Sequence, residues 1–255
     1  MSEPLLRVES LGVAYGALVA LADVTWDVSA GEILGVIGPN GAGKSSCYDA
    51  VTHLTKRSGR VFFCGQEVTD LPADRLSRLG LKRAFQQNAF FNEIPVLENM
   101  TTVLQDAHGT GLFPTLAAPW REARRRRAAE QKAREILVRF GVPEELHDAR
   151  PPDIPYGVQR MLSIALAHGA GAKALMLDEP AAGLGGVDMT RLVQLLRDLR
   201  RDGLGLVVIE HHMDLVMSIA DRIVVLDQGR MLAIGTPREI QADARVREAY
   251  LGRAA

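Results

Sequence analysis

The 255-residue sequence contains only two cysteines, Cys47 and Cys64, and no long run of apolar residues. Two cysteines cannot build a disulfide scaffold or a zinc site with four cysteine ligands. No window reaches the roughly 18 apolar residues of a membrane span, and the N-terminus lacks the apolar segment of a signal peptide. We therefore expect a cytoplasmic protein of a reducing compartment whose connection to a membrane, if any, is made through a partner.

An excess of charge of either sign is also missing. The chain has 30 Lys and Arg against 31 Asp and Glu, for a formal net charge of −1. Bulk attraction to nucleic acid or to anionic lipid is thereby excluded. The one basic run, Arg124–Arg127, we interpret as a solvated helix face with Glu122 and Glu130 as acidic partners, and we predict no nucleic-acid partner.

What the sequence has is an alternation of short apolar runs with amphipathic segments, which predicts an α/β fold with a parallel sheet and helices packed on it. The stretch 106–122, rich in Gly and Pro, predicts an irregular excursion. We predict strands at 5–8, 24–28, 32–37, 60–63, 174–177, 206–209, 222–226 and 231–234. We predict helices at 44–54, from Asp74 onward, and at 121–141, 157–169, 188–201 and 213–220.

The strongest motif is GPNGAGKSS at 38–46, which fits the pattern G-x-x-x-x-G-K-[ST] between a predicted strand and a predicted helix. The glycines let backbone N–H groups turn toward one anion, and the helix that follows adds its positive end. Lys44 can then reach the β- and γ-phosphates of a nucleotide, and the Ser45 hydroxyl can bind Mg²⁺. The alternative is a glycine-rich turn without function. The candidate nucleotide-binding residues are Gly38, Pro39, Asn40, Gly41, Ala42, Gly43, Lys44, Ser45 and Ser46.

A second motif is ALMLDEP at 174–180, in which an apolar strand ends in two carboxylates. Open α/β sheets bind their ligands at this edge. We expect Asp178 to hold Mg²⁺ and Glu179 to act as general base on the attacking water. The alternative is an Asp-Glu pair that caps the next helix.

With these motifs the whole chain resembles the ATP-binding subunit of an ABC transporter. The resemblance implies a P-loop NTPase (RecA-like) core with an N-terminal antiparallel β subdomain and an inserted helical subdomain. We expect one ABC ATPase domain over residues 1–255. Its nucleotide-binding α/β core would comprise 1–85 and 161–255, and its helical insert 86–160 with a signature segment.

The resemblance also implies further site residues. Gln86, in FQQ at 85–87, would contact Mg²⁺ and the membrane partner. His211, in IEHHM, would contact the γ-phosphate, and Tyr15, ahead of the first sheet element, would stack on adenine. The signature segment would be IPYGVQR at 154–160, with Tyr156, Gly157 and Gln159 facing nucleotide. Without the resemblance, Gln86 would be interpreted as a surface residue, His211 as a core histidine and Tyr15 as a packing residue.

The signature segment departs from the family pattern. Pro155 stands in place of a serine, so a hydroxyl and an N–H are both lost, and Val158 replaces a glutamine. Gly185 and His212 stand where acidic or amide residues are usual. In the family each nucleotide lies between the phosphate loop of one subunit and the signature of the other. We therefore expect a heterodimer with a second, related ATPase, in which the site facing Pro155 is weak.

Local similarity is strongest to the ATPases of branched-chain amino-acid importers, in the stretch 210–240 and the ending REAYLG at 247–252. The implied partners are two membrane permease subunits and, indirectly, an extracytoplasmic solute-binding protein. The implied location is the cytoplasmic face of the membrane. ATP and Mg²⁺ are the implied cofactors. An importer of urea, amides or other hydrophobic amino acids, a lipopolysaccharide exporter, and a weakly hydrolysing regulatory subunit remain alternatives.

Overall fold

The computed structural model describes residues 3–84, 90–106 and 119–251. The chain divides into two compact units. The first comprises residues 1–83, 173–182 and 193–255, and the second comprises 84–172 and 183–192. The domain boundaries expected from the sequence stay a prediction.

Two sheets carry the first unit, with ten strands among the described residues. One is antiparallel with strand order β2-β1-β4-β5, and the other has the order β10-β9-β3-β8-β7-β6. In the second sheet, β9, β3, β8 and β7 run parallel and β10 pairs antiparallel with β9. The strands are β1 Leu6–Tyr15, β2 Leu18–Val28, β3 Ile33–Ile37, β4 Ser58–Phe63, β5 Gln66–Glu67, β6 Leu81–Ala84, β7 Ala174–Asp178, β8 Gly205–Ile209, β9 Arg222–Asp227 and β10 Arg230–Gly235.

The central parallel strands are apolar throughout because both of their faces are covered. Every residue of β3 and β8 is buried, as the continuous run of apolar residues in each predicts. Residues of both sheets share one core, which includes Trp26, Tyr48 and Phe63. The helices that the structure describes are α1 Lys44–Val51, α2 Ala73–Leu79, α3 Val96–Asp106, α4 Pro119–Arg139, α5 Tyr156–Gly169, α6 Gly186–Arg201, α7 Met213–Ile219, α8 Pro237–Ala242 and α9 Ala244–Leu251.

The second unit is helical and contains α3, α4, α5 and the first part of α6. Its buried side chains in α4, Ala133 and Leu137, recur at the spacing of one helix face, and Phe140 follows just after the helix. Arg124–Arg127 lie exposed on the same helix, as expected. Their predicted partner Glu130 instead pairs with Arg134, one turn further along α4, at 2.9 Å.

Several elements differ from the predictions. The strands β1 and β2 are longer, because shifts in their pairing register interrupt the alternation of apolar residues. The helix predicted from Asp74 onward ends at Leu79, and the short strand β6 follows it with two charged residues in its middle. The expected irregular stretch extended to residue 122, but α4 begins at Pro119, a residue that is favourable in a first helical turn.

Within the described residues, no helix is both long enough and apolar enough to cross a bilayer.

Candidate functional site

The phosphate loop is held between the buried strand β3 and the first turn of α1. Lys44 is the first residue of α1, and its ammonium group donates to the carbonyls of Gly38 at 2.7 Å and Pro39 at 3.1 Å. The side chain of Lys44 therefore closes the loop, because it connects the end of the loop to the carbonyls at its start. The first N–H groups of a helix have no partner inside the helix, so the start of α1 offers donors to an anion.

Gly43 shows why this loop needs glycine. It precedes α1 with a φ of 98°, in the left-handed region, and a Cβ there would come within 2.6 Å of the carbonyl oxygen of Ala20. A larger residue would be strained by its backbone and would also push β2 away from the loop. The close approach of two backbones thus explains this glycine of the motif.

Asp178 and Glu179 stand where β7 ends, as expected. Asp178 is the last residue of the strand and pairs in register with Ile209 of β8. Burial, together with the neighbouring charge of Glu179, raises the pKa of the Asp178 carboxyl to about 6, while Arg83 opposes both effects. For Lys44, burial lowers the pKa of the ammonium, and the charges of Glu179 and Asp178 act in the opposite direction. The three groups are therefore electrostatically coupled.

The backbone at Glu179 is unusual for a residue with a side chain. Its φ is 46°, and its N–H donates to the carbonyl of Ile209 at 2.8 Å. Such left-handed residues cost free energy and persist only where their surroundings hold them. At this bend, Glu179 lines a cavity of about 550 Å³, which the phosphate loop also lines.

Tyr15 lines the same cavity. The prediction that Tyr15 lies ahead of the first sheet element is wrong, because Tyr15 is the last residue of β1. Its ring is 49% exposed, and Leu18 and Val19 beside it are exposed as well. An exposed aromatic ring next to a phosphate loop is the arrangement that stacking on a nucleobase requires.

His211 follows β8 and reaches the carboxylate of Glu179, with 3.4 Å between Nδ1 and Oε1. The structure thus joins Glu179 and His211, which the sequence analysis had placed in one site. Glu210 was missed. It is fully buried, and its carboxylate accepts hydrogen bonds from the backbone N–H groups of Ala181 at 2.8 Å and His211 at 3.2 Å. An acidic residue directly after an apolar strand was the available signal.

Arg83 is a second residue that the sequence analysis missed. Its guanidinium lies 4.0 Å from the centre of the Tyr48 ring and 3.0 Å from the carboxylate of Asp49. The hydroxyl of Tyr48 donates to the carbonyl of Met176 in β7 at 3.1 Å. This chain of contacts ties α1 to the strand that presents Asp178. No sequence pattern marks Arg83, because its role depends on contacts between distant segments.

The signature segment lies in the second unit. Pro155 is exposed and precedes α5 as its cap residue, without a side-chain hydrogen bond to the helix. The amide of Gln159 donates to the carbonyl of Ile154 at 3.0 Å. Val158 is buried, so its side chain packs inside the unit.

Two more signature residues have defined surroundings. Tyr156 is half-exposed, with the guanidinium of Arg160 5.1 Å from its ring centre. A Cβ on Gly157 would come within 2.4 Å of the carboxylate of Asp188, so a larger residue there would displace that side chain. Gln86, expected to contact Mg²⁺ and the membrane partner, lies outside the described residues.

Comparison with known proteins agrees with this geometry. Residues 21–182 match the family described as ABC transporter, and residues 230–255 match that described as Branched-chain amino acid ATP-binding cassette transporter. The high-affinity branched-chain amino acid transport ATP-binding protein LivG of Escherichia coli (strain K12) is 38% identical over 100% of both chains. BraF of Pseudomonas aeruginosa, which carries the same description, is 37% identical over 100% of both chains.

Relatives of lower sequence identity also match over nearly the full length of this chain. The lipopolysaccharide export system ATP-binding protein LptB of Escherichia coli (strain K12) is 31% identical over 97% of each chain. The crystal structure of the ADP conformation of MJ1267, an ATP-binding cassette of an ABC transporter, superimposes with a TM-score of 0.83 at 27% identity, covering 99% of this chain and 100% of that one. The chain therefore belongs to the ATP-hydrolysing, ATP-binding subunits of ABC transporters and carries the C-terminal segment of their branched-chain amino acid members.

Proposed function

We propose that this chain hydrolyses Mg²⁺-bound ATP to power the import of branched-chain amino acids. The observation that carries the proposal is that the phosphate loop, Tyr15 and Glu179 all line one and the same cavity. Such a cavity offers contacts to a base at one end and to phosphates at the other. The names of LivG and BraF, and the match of residues 230–255, support branched-chain amino acids as the solute.

Each end of the cavity has a role in the bound nucleotide. The ring of Tyr15 stacks on adenine, which a flat π face can do without reading the base. The backbone N–H groups from Asn40 to Ser46 would surround the β- and γ-phosphates, and the ammonium of Lys44 would lie against them. Asn40 and Gly41 line the cavity beside the loop. Binding the phosphates would exchange the contacts of Lys44 with the loop carbonyls for contacts with anionic oxygens.

The residues present fit Mg²⁺, because Ser45 and Asp178 offer the oxygen ligands that this ion prefers. The partly buried Asp178 carboxyl, with its raised pKa and the charge of Glu179 beside it, is a place where a dication would lower the electrostatic cost of ionisation. Gln86 would add a third oxygen. When bound, the ion neutralises the charge that develops on the phosphates.

We expect Mg²⁺-dependent nucleotide binding to weaken as the pH falls through about 6, the pKa of Asp178. The ordinary pKa of the group is 3.8, so its ionised, metal-binding form is lost at a higher pH than in an unburied aspartate. Titration calorimetry at pH 5.5 and 7.5 measures the change. Asp178→Asn is the control, since it retains only the pH dependence of the nucleotide itself. Equal pH dependence in both proteins would contradict the role of Asp178.

In hydrolysis, Glu179 accepts the proton of a water molecule whose oxygen attacks the γ-phosphorus, and the bond to ADP breaks. His211, which contacts Glu179, would also contact the γ-phosphate. The strained backbone of Glu179 fixes the direction of its carboxylate before the nucleotide arrives, so less reorganisation is needed during the reaction.

The active assembly is a pair of unlike ATPases. Each nucleotide would lie between the phosphate loop of one subunit and the signature of the other. This chain has its own nucleotide-holding groups, but it presents Pro155, Tyr156, Gly157 and Gln159 to the nucleotide of its partner. Because Pro155 offers neither a hydroxyl nor an N–H, the site of the partner would be slow, whereas the site of this chain would be fast.

The pair would bind two permease subunits at the cytoplasmic face of the membrane. The segment around Gln86 and the helical second unit would transmit closure of the ATPases to the permeases. Solute would reach them from an extracytoplasmic binding protein. Because the positive and negative charges of the chain are balanced, we expect no nucleic-acid partner.

Uptake into proteoliposomes tests the solute. The complete transporter, with both ATPases, the permeases and the binding protein, should accumulate labelled leucine, isoleucine or valine only when Mg²⁺ and ATP are inside with the ATPases. Labelled urea and a short amide are the competing solutes. ATP-driven uptake of these solutes without any uptake of leucine would replace the proposed solute and leave the ATPase assignment intact.

A further inference from the structure

Glu210, His211 and His212 bring three metal-binding side chains together between β8 and α7. One ligand atom from each lies within 4.8 Å of those of the other two. The two imidazole rings are stacked with 4.1 Å between their centres, and each side chain is nearly half exposed, at 47% and 45%. Glu210 beneath them is fully buried. His212 stands where the family pattern implies an aspartate.

The buried charge of Glu210 indicates a cation. Its Oε2 lies 3.1 Å from Nδ1 of His212 and 3.9 Å from Nδ1 of His211. In the described part of the chain, no lysine or arginine lies within ion-pair distance of this carboxylate. Buried carboxylates are as a rule paired with a cation or bound to a metal. The carboxylate of Glu210 accepts backbone hydrogen bonds from Ala181 and His211, and in the described part of the chain the two histidines are the only side chains within ion-pair distance that can carry or bind a positive charge.

The distances also fit tetrahedral coordination. A metal with ligand bonds of about 2.0–2.1 Å needs ligand atoms about 3.3 Å apart. The separations are 3.1 Å between His212 and Glu210, 3.4 Å between His211 and Glu179, and 3.9 Å between His211 and Glu210. Small movements of half-exposed rings would equalise them. Glu210, His211 and His212 thus supply three ligands, which leaves the fourth position to water, and Glu179 lies beside the group, 3.4 Å from His211.

The chemistry of the donors selects the metal. Two imidazole nitrogens with one carboxylate oxygen suit Zn²⁺ and similar transition-metal dications, whereas Mg²⁺ and Ca²⁺ prefer oxygen alone. This group is therefore distinct in kind from the oxygen ligands Ser45 and Asp178.

We propose that Glu210, His211 and His212 form an inhibitory binding site for Zn²⁺ or a dication of similar chemistry. A bound ion places a dication beside the carboxylate of Glu179, which lies 3.4 Å from His211, and so weakens that carboxylate as an acceptor of a proton from water. It also holds His211 away from the γ-phosphate. Zinc occupancy and hydrolysis are consequently exclusive at this site. The inhibition rests on the proposed roles of Glu179 and His211 in hydrolysis, whereas the binding of the metal does not.

His212→Asn is the test variant. His212 precedes α7 as its cap residue without a side-chain hydrogen bond to the helix, and asparagine is favoured at that position. The variant should therefore fold. It removes one metal ligand and the ring that packs on His211, and it keeps Glu179 and His211 themselves unchanged. Titration calorimetry of the tag-free, nucleotide-free chain with ZnCl₂ should give one site in the wild type. We expect at least a tenfold weaker affinity in the variant, with no competition from millimolar Mg²⁺.

Two further measurements complete the test. Co²⁺ in place of Zn²⁺ should produce the intense visible absorption of tetrahedral coordination in the wild type and lose it in His212→Asn. In the complete transporter at buffered free Zn²⁺, the wild-type ATPase should be inhibited and the variant should resist, with equal rates before zinc. Equal zinc affinity in the two chains would overturn the site. Weaker binding in the variant with unchanged inhibition would overturn the inhibitory role.

Discussion

Replacing Glu179 with glutamine lowers the ATPase rate of the complete transporter about ten- to a hundredfold and leaves ATP binding intact. Glutamine has the same shape and keeps the contact with His211, but it cannot accept a proton. Loss of a general base costs about 10²–10⁴ in rate at the affected site. The total falls less, because the slow site of the partner subunit continues to turn over. Steady-state phosphate release and ATP binding by calorimetry measure the two effects.

Glu248→Gln is the matched control for Glu179→Gln, because it makes the same chemical change at an exposed position of α9. It should leave both the rate and the affinity unchanged. An unaltered rate in Glu179→Gln, with binding also unaltered, would favour a nucleotide-binding regulatory subunit over an ATPase motor. A large loss of ATP affinity in that variant would instead indicate that Glu179 holds the nucleotide.

Adding Pro155→Ser to Glu179→Gln in the same chain raises the remaining ATPase rate about ten- to a hundredfold above that of Glu179→Gln alone. In this background the fast site is silent, and the remaining turnover comes from the nucleotide of the partner facing Pro155. Serine brings back a hydroxyl and an N–H toward that nucleotide. A hydrogen bond to a charged group contributes about 1.5–3 kcal/mol, which corresponds to about ten- to a hundredfold in rate.

The backbone tolerates this change. Pro155 has φ −55° and ψ 145°, which serine adopts readily, and serine is favoured over proline as the residue before a helix. Pro155→Ala is the matched control, since it restores the N–H without the hydroxyl, and we expect it to recover only part of the rate. If both variants fold and neither raises the rate, Pro155 does not limit the site and the asymmetric pair is wrong.

Motifs that act within one short segment were predictable from the sequence. The phosphate loop combines a strand, glycines, Lys44 and a helix within a few residues, so spacing alone identifies it. The same holds for Asp178 and Glu179 after a buried strand. In both cases the structure has the strand and the turn where the residues predicted them.

Residues whose roles depend on distant contacts were not predictable. Arg83 lies in an edge strand with no apolar pattern, and only the fold brings it against Tyr48 and Asp49. Glu210 was overlooked because a single glutamate beside two histidines has no distinctive spacing. The lengths of β1 and β2 were underestimated because bulges break the alternation on which the prediction relies.

The sequence by itself determined the family, the phosphate-loop motif and the proline at position 155 on which the proposed slow partner site rests, because each depends on residue type at a short, fixed spacing. Only the tertiary structure decided which side chains share a site. It joined His211 to Glu179, buried Glu210 under two imidazoles and raised the pKa of Asp178. Burial and the approach of charges from separate strands are properties of the folded chain, since they require segments far apart in sequence to lie side by side.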